Sequence, residues 1–229
     1  MMLKWECIGT NSISYGMKVL KVLVIMIFLY YAFLMVLITL QYIPIDLTIA
    51  FLATKQYIIY QTHYQIAFFA HVFCSIFMLL IGALQFSQKL RLQVPRLHKR
   101  IGYFYVFGIL CISAPSGFIM GIYGNGGIIT SISFCLLSIL WFYYTLKSFL
   151  AVRRKKVMLH KEYMILSYAL TLSALTLRLH KQILANTTDL HRMDIYRIVS
   201  WSGWIINLLI AFWIIRRANK KAVTIPMAQ

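Results

Sequence analysis

The chain has 229 residues, of which 61% are hydrophobic and only 12% charged, and its formal net charge is +18. A soluble domain has roughly a quarter of its residues charged, so water cannot be the solvent for most of this surface. The basic excess does not signal nucleic acid: the cations stand at the ends of apolar runs, and no basic face interleaved with aromatics is left to track phosphates.

Apolar runs of about 20 residues match a hydrocarbon layer roughly 30 Å thick. Six follow one another, at about 19–42, 64–86, 100–123, 127–150, 161–184 and 195–215. The expected fold is all-α, a polytopic transmembrane six-helix bundle. Residues 1–18 form a cytoplasmic tail, 19–215 the six-span unit and 216–229 a basic cytoplasmic tail. Such short tails and loops cannot bury a soluble core of their own.

In the first run, Lys18 and Lys21 precede the apolar stretch from Val22 to Leu40. No small-residue cleavage site follows and the stretch is too long for a signal-peptide core, so it reads as a retained span. It lacks a polar stripe and belongs at the periphery. In the next loop, with Pro44, Asp46 and Lys55, the middle from Leu47 to Ala53 is apolar enough for an interfacial helix. Span two places His71, Ser75, Met78, Gly82 and Gln85 within about 40° of one direction.

Span three begins near Pro95, which suits a first helical turn and puts His98 at the membrane edge. Tyr105 and Ser116 share its face. Pro115, followed by Ser116 and Gly117, removes a backbone donor and frees a carbonyl at mid-membrane, so a kink or small cavity is expected. Gly124, Asn125, Gly126 and Gly127 make a tight turn, which predicts that spans three and four are antiparallel neighbours. Span four carries Ser131, Ser138 and Thr145. Span five places His160, Ser167, Thr171 and Arg178 within about 20° of one direction. Span six adds Ser200, Gly203 and Asn207, while Tyr196, Trp201 and Trp204 read as an interfacial belt. Cys7, Cys74, Cys111 and Cys135 are scattered and suggest neither a disulfide framework nor a metal motif.

Lys and Arg alternate by side. Lys89, Arg91, Arg96, Lys99 and Arg100 follow span two; Arg153, Arg154, Lys155, Lys156 and Lys161 follow span four; Arg216, Arg217, Lys220 and Lys221 follow span six. The intervening loops carry Lys55, no charge in the glycine turn, and Asp189 and Asp194 beside Arg192 and Arg197. The positive-inside rule therefore puts both termini in the cytoplasm, with the chain in the cell (inner) membrane.

An ordered residue set is recognisable. His71 comes first, then Gly82, Gln85 and Phe86, then Arg91, Pro95, Leu97, His98, Gly102 and Tyr105. Trp141 follows, and then His160, Met164, Ser167, Tyr168, Ala169, Leu170, Thr171, Leu177, Arg178 and Leu179. Over roughly residues 64–215 the chain resembles the bacterial membrane-protein family known as domain of unknown function 2306. The resemblance implies a six- or seven-span bundle and names no reaction. That family usually has Arg at or near the position after its third-span histidine, and Lys99 and Arg100 stand there here. His180 lies outside the pattern and inherits no role.

Serine and threonine in these stripes read as helix glue, worth about 0.6 kcal/mol per bond. An ionisable group inside a span costs more than such glue returns, so it marks a site. His71 and Arg178 lie about two turns from the outer face, and Gln85, Arg91, His98 and His160 lie near the inner one. His63, His180 and His191 read as incidental. The expected function is binding or transport of a small anionic or lipophilic ligand, with Arg178 taking the negative group and His71 titrating near neutral pH. One alternative is a redox protein holding haem b between His98 and His160. An outer haem pair would need His71 with His180, which points about 200° away from the His160–Arg178 stripe. Another alternative is a membrane enzyme acting on quinone or lipid, with His98, His160, Arg91 and Gln85 as acid, base and anion clamp and Glu162 orienting His160. The partners expected are the lipid bilayer and anionic headgroups at the basic loops, with no nucleic acid. A homo-oligomer is left open.

Overall fold

A computed structural model describes residues 7–224, with side chains from Lys18 to Lys220. Of the two expected tails, residues 1–6 and 225–229 lie outside the described residues, and the described parts continue helices. A chain in lipid must satisfy its backbone polar groups internally, and helix does this within one segment. Among the described residues there is accordingly no strand.

The helices are α1 (Cys7–Leu40), α2 (Thr62–Gln85), α3 (Gln88–Gln93), α4 (Pro95–Phe107), α5 (Ala114–Ile122), α6 (Ile128–Arg153), α7 (Val157–Thr171), α8 (Ser173–Thr187) and α9 (Arg192–Thr224). Five stretches among the described residues are long and apolar enough to cross a membrane: Lys18–Leu40, Thr62–Gln85, Pro95–Ile122, Ile128–Arg153 and Arg192–Lys220. The expected fifth run is not one helix. It divides at Leu172 into α7 and α8, each 15 residues long. Ser173 Oγ donates to Leu170 O at 2.6 Å, and Leu175 N reaches Leu172 O, three residues back. A hydroxyl competing for a carbonyl and a locally tightened turn are enough to break the regular ladder. Leu172 itself keeps right-handed helical angles, so the chain continues from one helix into the next.

The irregularity expected near Pro115 takes the form of a π-helical segment, Gly108–Ser113, joining α4 to α5. Widened turns of this kind accommodate a proline that cannot donate to the ladder. Gly126 and Gly127 both have positive φ, +91° and +82°, and turn the chain so that α5 packs against α6.

Between α1 and α2 the interfacial helix expected at Leu47–Ala53 does not form. Ala50 takes a left-handed conformation, φ +52°, which interrupts the run, and only a 3-10 turn at Leu52–Lys55 follows. Residues 41–61 instead fold into a cap with its own small core, in which Tyr42, Leu52, Ile58 and Ile59 pack with Tyr64 and Phe68 of α2. Lys55 is fully buried in this cap. Its ammonium donates to Tyr123 O and Asn125 Oδ1 of the glycine turn and lies 5.4 Å and 5.6 Å from the ring centres of Phe51 and Tyr57. Arg197 Nε of α9 donates to Gly126 O at 3.0 Å. The cap, the glycine turn and the start of α9 thus meet at one end of the bundle, the cap end. The opposite, basic end holds α3, the α6–α7 connection and the end of α9.

The main core lies among α2, α4, α6, α7 and α9, around Met78, Tyr105, Trp141, Leu170 and Trp204. Trp204 was expected in an interfacial belt, yet it is 7% exposed and its indole N–H donates to Ser133 Oγ at 2.9 Å. On its α8 side, α9 comes close because residue 203 is glycine: a Cβ there would lie 3.0 Å from the Leu177 Cβ. Among the described residues α1 stays peripheral, packing on α2 and α8 and exposing apolar side chains from Val19 to Leu40.

Candidate functional site

His71 stands on α2 in the half of the bundle nearer the cap. Its Nδ1 lies 2.8 Å from Ser113 O at the end of the π segment and 3.4 Å from Ser116 Oγ. A carbonyl only accepts, so Nδ1 carries the proton and a neutral ring keeps its lone pair on Nε2. Gly117 makes room for this ring, since a Cβ there would lie 2.9 Å from His71 Cε1. The carbonyl and the space both come from the distorted α4–α5 span.

Arg178 follows the Leu172 junction on α8 and is half-buried. Its Nη1 donates to Ala174 O of its own helix at 2.7 Å. Within electrostatic reach lie His71, Tyr42 of the cap and Tyr196 of α9. Arg197 pairs with Asp194 at 2.9 Å, and among the described residues no carboxylate bonds Arg178. Elsewhere in the bundle, the buried hydroxyls of Tyr64 in the cap core, Ser75 one turn beyond His71, Ser113 at the end of the π segment and Thr130 beside the glycine turn have no hydrogen-bond partner. Such orphaned groups are normally answered by water or by a ligand.

Below this region a closed network of side chains fills the middle of the bundle. The Tyr105 hydroxyl bonds Ser167 Oγ (3.2 Å) and Thr171 Oγ1 (2.9 Å), Trp141 Nε1 donates to Thr171 Oγ1 (3.0 Å), and Thr145 Oγ1 meets Ser167 Oγ (2.7 Å). Tyr168 donates to Leu79 O at 3.1 Å and ties α7 to α2. Asn207 bridges the α7–α8 junction by donating to Ala169 O and Thr176 Oγ1. These bonds answer one another and leave no group for a ligand, consistent with helix glue.

At the basic end, His160 Nδ1 lies 3.0 Å from Ser148 O and 2.9 Å from Ser148 Oγ on α6. Glu162, expected to orient His160, instead accepts from Asn219 Nδ2 at 2.8 Å. The serine one helix away supplies the orienting carbonyl, because α6 and α7 pack closely where the α6–α7 connection turns. His98 on α4 lies within electrostatic reach of both His160 and Arg91. Arg91 itself is exposed on α3. Gln85 lies against Gly102, where a Cβ would stand 3.2 Å from its Oε1.

The six residues singled out from the sequence therefore fall into two groups, His71 with Arg178 and Gln85 with Arg91, His98 and His160. The central hydroxyl network separates them. His180 turns to α9, its Nδ1 3.0 Å from Ser202 Oγ, and His63 Nε2 lies 3.0 Å from the Tyr123 hydroxyl. The placing of Tyr42 and Tyr196 around Arg178 escapes sequence reasoning, because a tyrosine at a span end has the same pattern whether it faces lipid or protein. No group of three or more metal-binding side chains occurs among the described residues. Neither a curated protein nor a solved structure matches the chain. A family model described as "Predicted membrane protein (DUF2306)" matches residues 68–215, nearly two thirds of the chain and both residue groups. The chain belongs to this family of predicted membrane proteins.

Proposed function

We propose that the protein binds or transports a small anionic ligand with a lipophilic body, held at Arg178 and His71 beneath the cap. The chain would cross the inner membrane six times, α7 and α8 together making the fifth crossing, with both termini cytoplasmic and the cap outside. The basic loops would then contact anionic headgroups.

One observation carries this reading: a half-buried guanidinium whose polar surroundings are a histidine and tyrosines, with no carboxylate bonded to it. An intramembrane arginine needs a counter-charge, and a ligand carboxylate would supply it in bidentate geometry. The His71 Nε2 and the orphaned Ser75 and Ser113 hydroxyls supply further polar contacts. The haem alternative has less behind it at this end, because His71 and His180 are held on different neighbours, the π segment and α9.

The test is thermal unfolding of purified protein with octanoate, an anion with a short apolar tail. Octanoate is expected to stabilise the wild type saturably. Arg178→Ala should abolish the response, while Arg178→Lys, which keeps the charge and loses the planar fork, should retain a weakened one. An unchanged response in a folded Arg178→Ala variant would exclude the reading.

A further inference from the structure

At the basic end, two buried nitrogen atoms lack a hydrogen-bond partner, Gln85 Nε2 and His98 Nδ1. They come from different helices and share one face of α4. Gly102 lies one turn beyond His98, and the Gln85 amide rests on it because no Cβ is in the way. Across from this face is α7, which makes no close backbone approach to α4 among the described residues. Deeper in the bundle the Tyr105 hydroxyl bridges that separation to Ser167 and Thr171. At the basic end no hydrogen bond joins α4 to α7 among the described residues, and His160 on α7 lies within electrostatic reach of His98.

The groups around this niche are complementary to one kind of ligand. Gln85 Nε2 offers N–H donors, and His98 offers one in its Nδ1–H tautomer. Arg91, exposed on α3 and within electrostatic reach of His98, offers a cation. His160, with its Nδ1 proton given to Ser148 O, keeps Nε2 as an acceptor. The nearby carboxylate, Glu162, is turned to Asn219. Three donors around one acceptor fit a tetrahedral oxyanion that still carries a hydroxyl. We infer that this niche is a binding site for a phosphate monoester, presented either by a soluble compound or by a lipid headgroup of that type. Its oxygens would accept from Gln85, His98 and Arg91 while its P–O–H donates to His160. The site is separate from the Arg178 region and does not depend on the reading given to it.

The probes are inorganic phosphate and dihexanoyl phosphatidic acid, with dihexanoyl phosphatidylcholine, a phosphodiester, as control. Each is added to the purified full chain in neutral detergent and thermal unfolding is followed. Saturable stabilisation by phosphate alone assigns a soluble source, and stabilisation by phosphatidic acid alone assigns a headgroup; either supports the site. Gln85→Leu separates binding from structure. An unbonded buried amide is a cost, so without probe this variant should unfold no lower than the wild type. Its apparent affinity for the effective probe should nevertheless fall about tenfold or more, the usual loss of a hydrogen bond to a charged group. Arg91→Gln, at an exposed position, should weaken the response without changing basal unfolding, and Arg178→Ala should leave the response intact. The inference is overturned if neither probe stabilises the wild type or if Gln85→Leu responds as the wild type does. A Soret band that disappears in His98→Phe would also overturn it by giving the niche to haem b.

Discussion

Burial lowers the Lys55 ammonium from its ordinary 10.5 to about 8, because the cap surrounds it while its compensation is two carbonyl oxygens and two ring faces. Below about pH 8 both folded and unfolded chains hold this proton, and the cost of burying the charge is felt in full. Between about 8 and 10.5 the unfolded chain binds more protons than the folded one, so stability rises with pH. Comparing wild type with Lys55→Met isolates this residue from other titrations. The wild type should gain stability relative to the variant as pH is raised from about 7.5 to about 9.5, read from paired thermal melts. A difference that is flat or shrinks would contradict the burial described. Nothing in the sequence distinguishes this lysine from any loop cation. Its burial depends on where the glycine turn, about 70 residues later, places Tyr123 and Asn125. His71 and Arg178 were easier to single out, since an ionisable residue inside an apolar run is conspicuous before any fold is known.

At the scale of elements, the long apolar runs were legible because lipid demands length and hydrophobicity together: four of the expected spans coincide within several residues with apolar stretches of single helices, two of which, α1 and α9, run on beyond them. The α7–α8 break was not legible. Ser173 and Thr176 carry no break signal in the sequence, since a hydroxyl reveals its carbonyl acceptor only in the folded backbone. The cap escaped for a related reason, as apolar composition suggested a helix and one left-handed residue prevented it. Close helix contacts allow a sharper prediction. A Cβ on Gly82 of α2 would lie 2.6 Å from the Tyr168 ring and 2.7 Å from the Tyr105 ring. Both rings are pinned by their hydroxyls, to Leu79 O and to Ser167 and Thr171. A Cβ on Gly108 would meet Met78 Sδ at a similar 2.6 Å, but a thioether can change rotamer. Gly82→Ala should therefore cost about 1–3 kcal/mol and Gly108→Ala clearly less, measured by chemical unfolding in mixed micelles. Equal losses would mean that the tyrosines are not fixed as described.

Across the whole molecule, the bundle separates two polar regions by a network whose hydrogen bonds are satisfied among themselves. Sequence periodicity could assign residues to faces and approximate depths, which was enough to separate His71 and Arg178 from Gln85, Arg91, His98 and His160. It could not find the tyrosines around Arg178 or the serine that orients His160, because those contacts join different elements, and a face assigned within one helix does not say which neighbour it meets. In a membrane, apolar packing between helices gains little over contact with lipid tails, so polar groups left without partners are informative about function. The Arg178 region has such groups beneath the cap, and the account depends on an anion meeting them there. Equilibrium dialysis of labelled octanoate against purified wild type and Arg178→Ala measures this without reference to stability. Saturable binding of about one anion per chain, lost in the variant, is the predicted result; saturable binding undiminished in a folded Arg178→Ala protein would contradict the account.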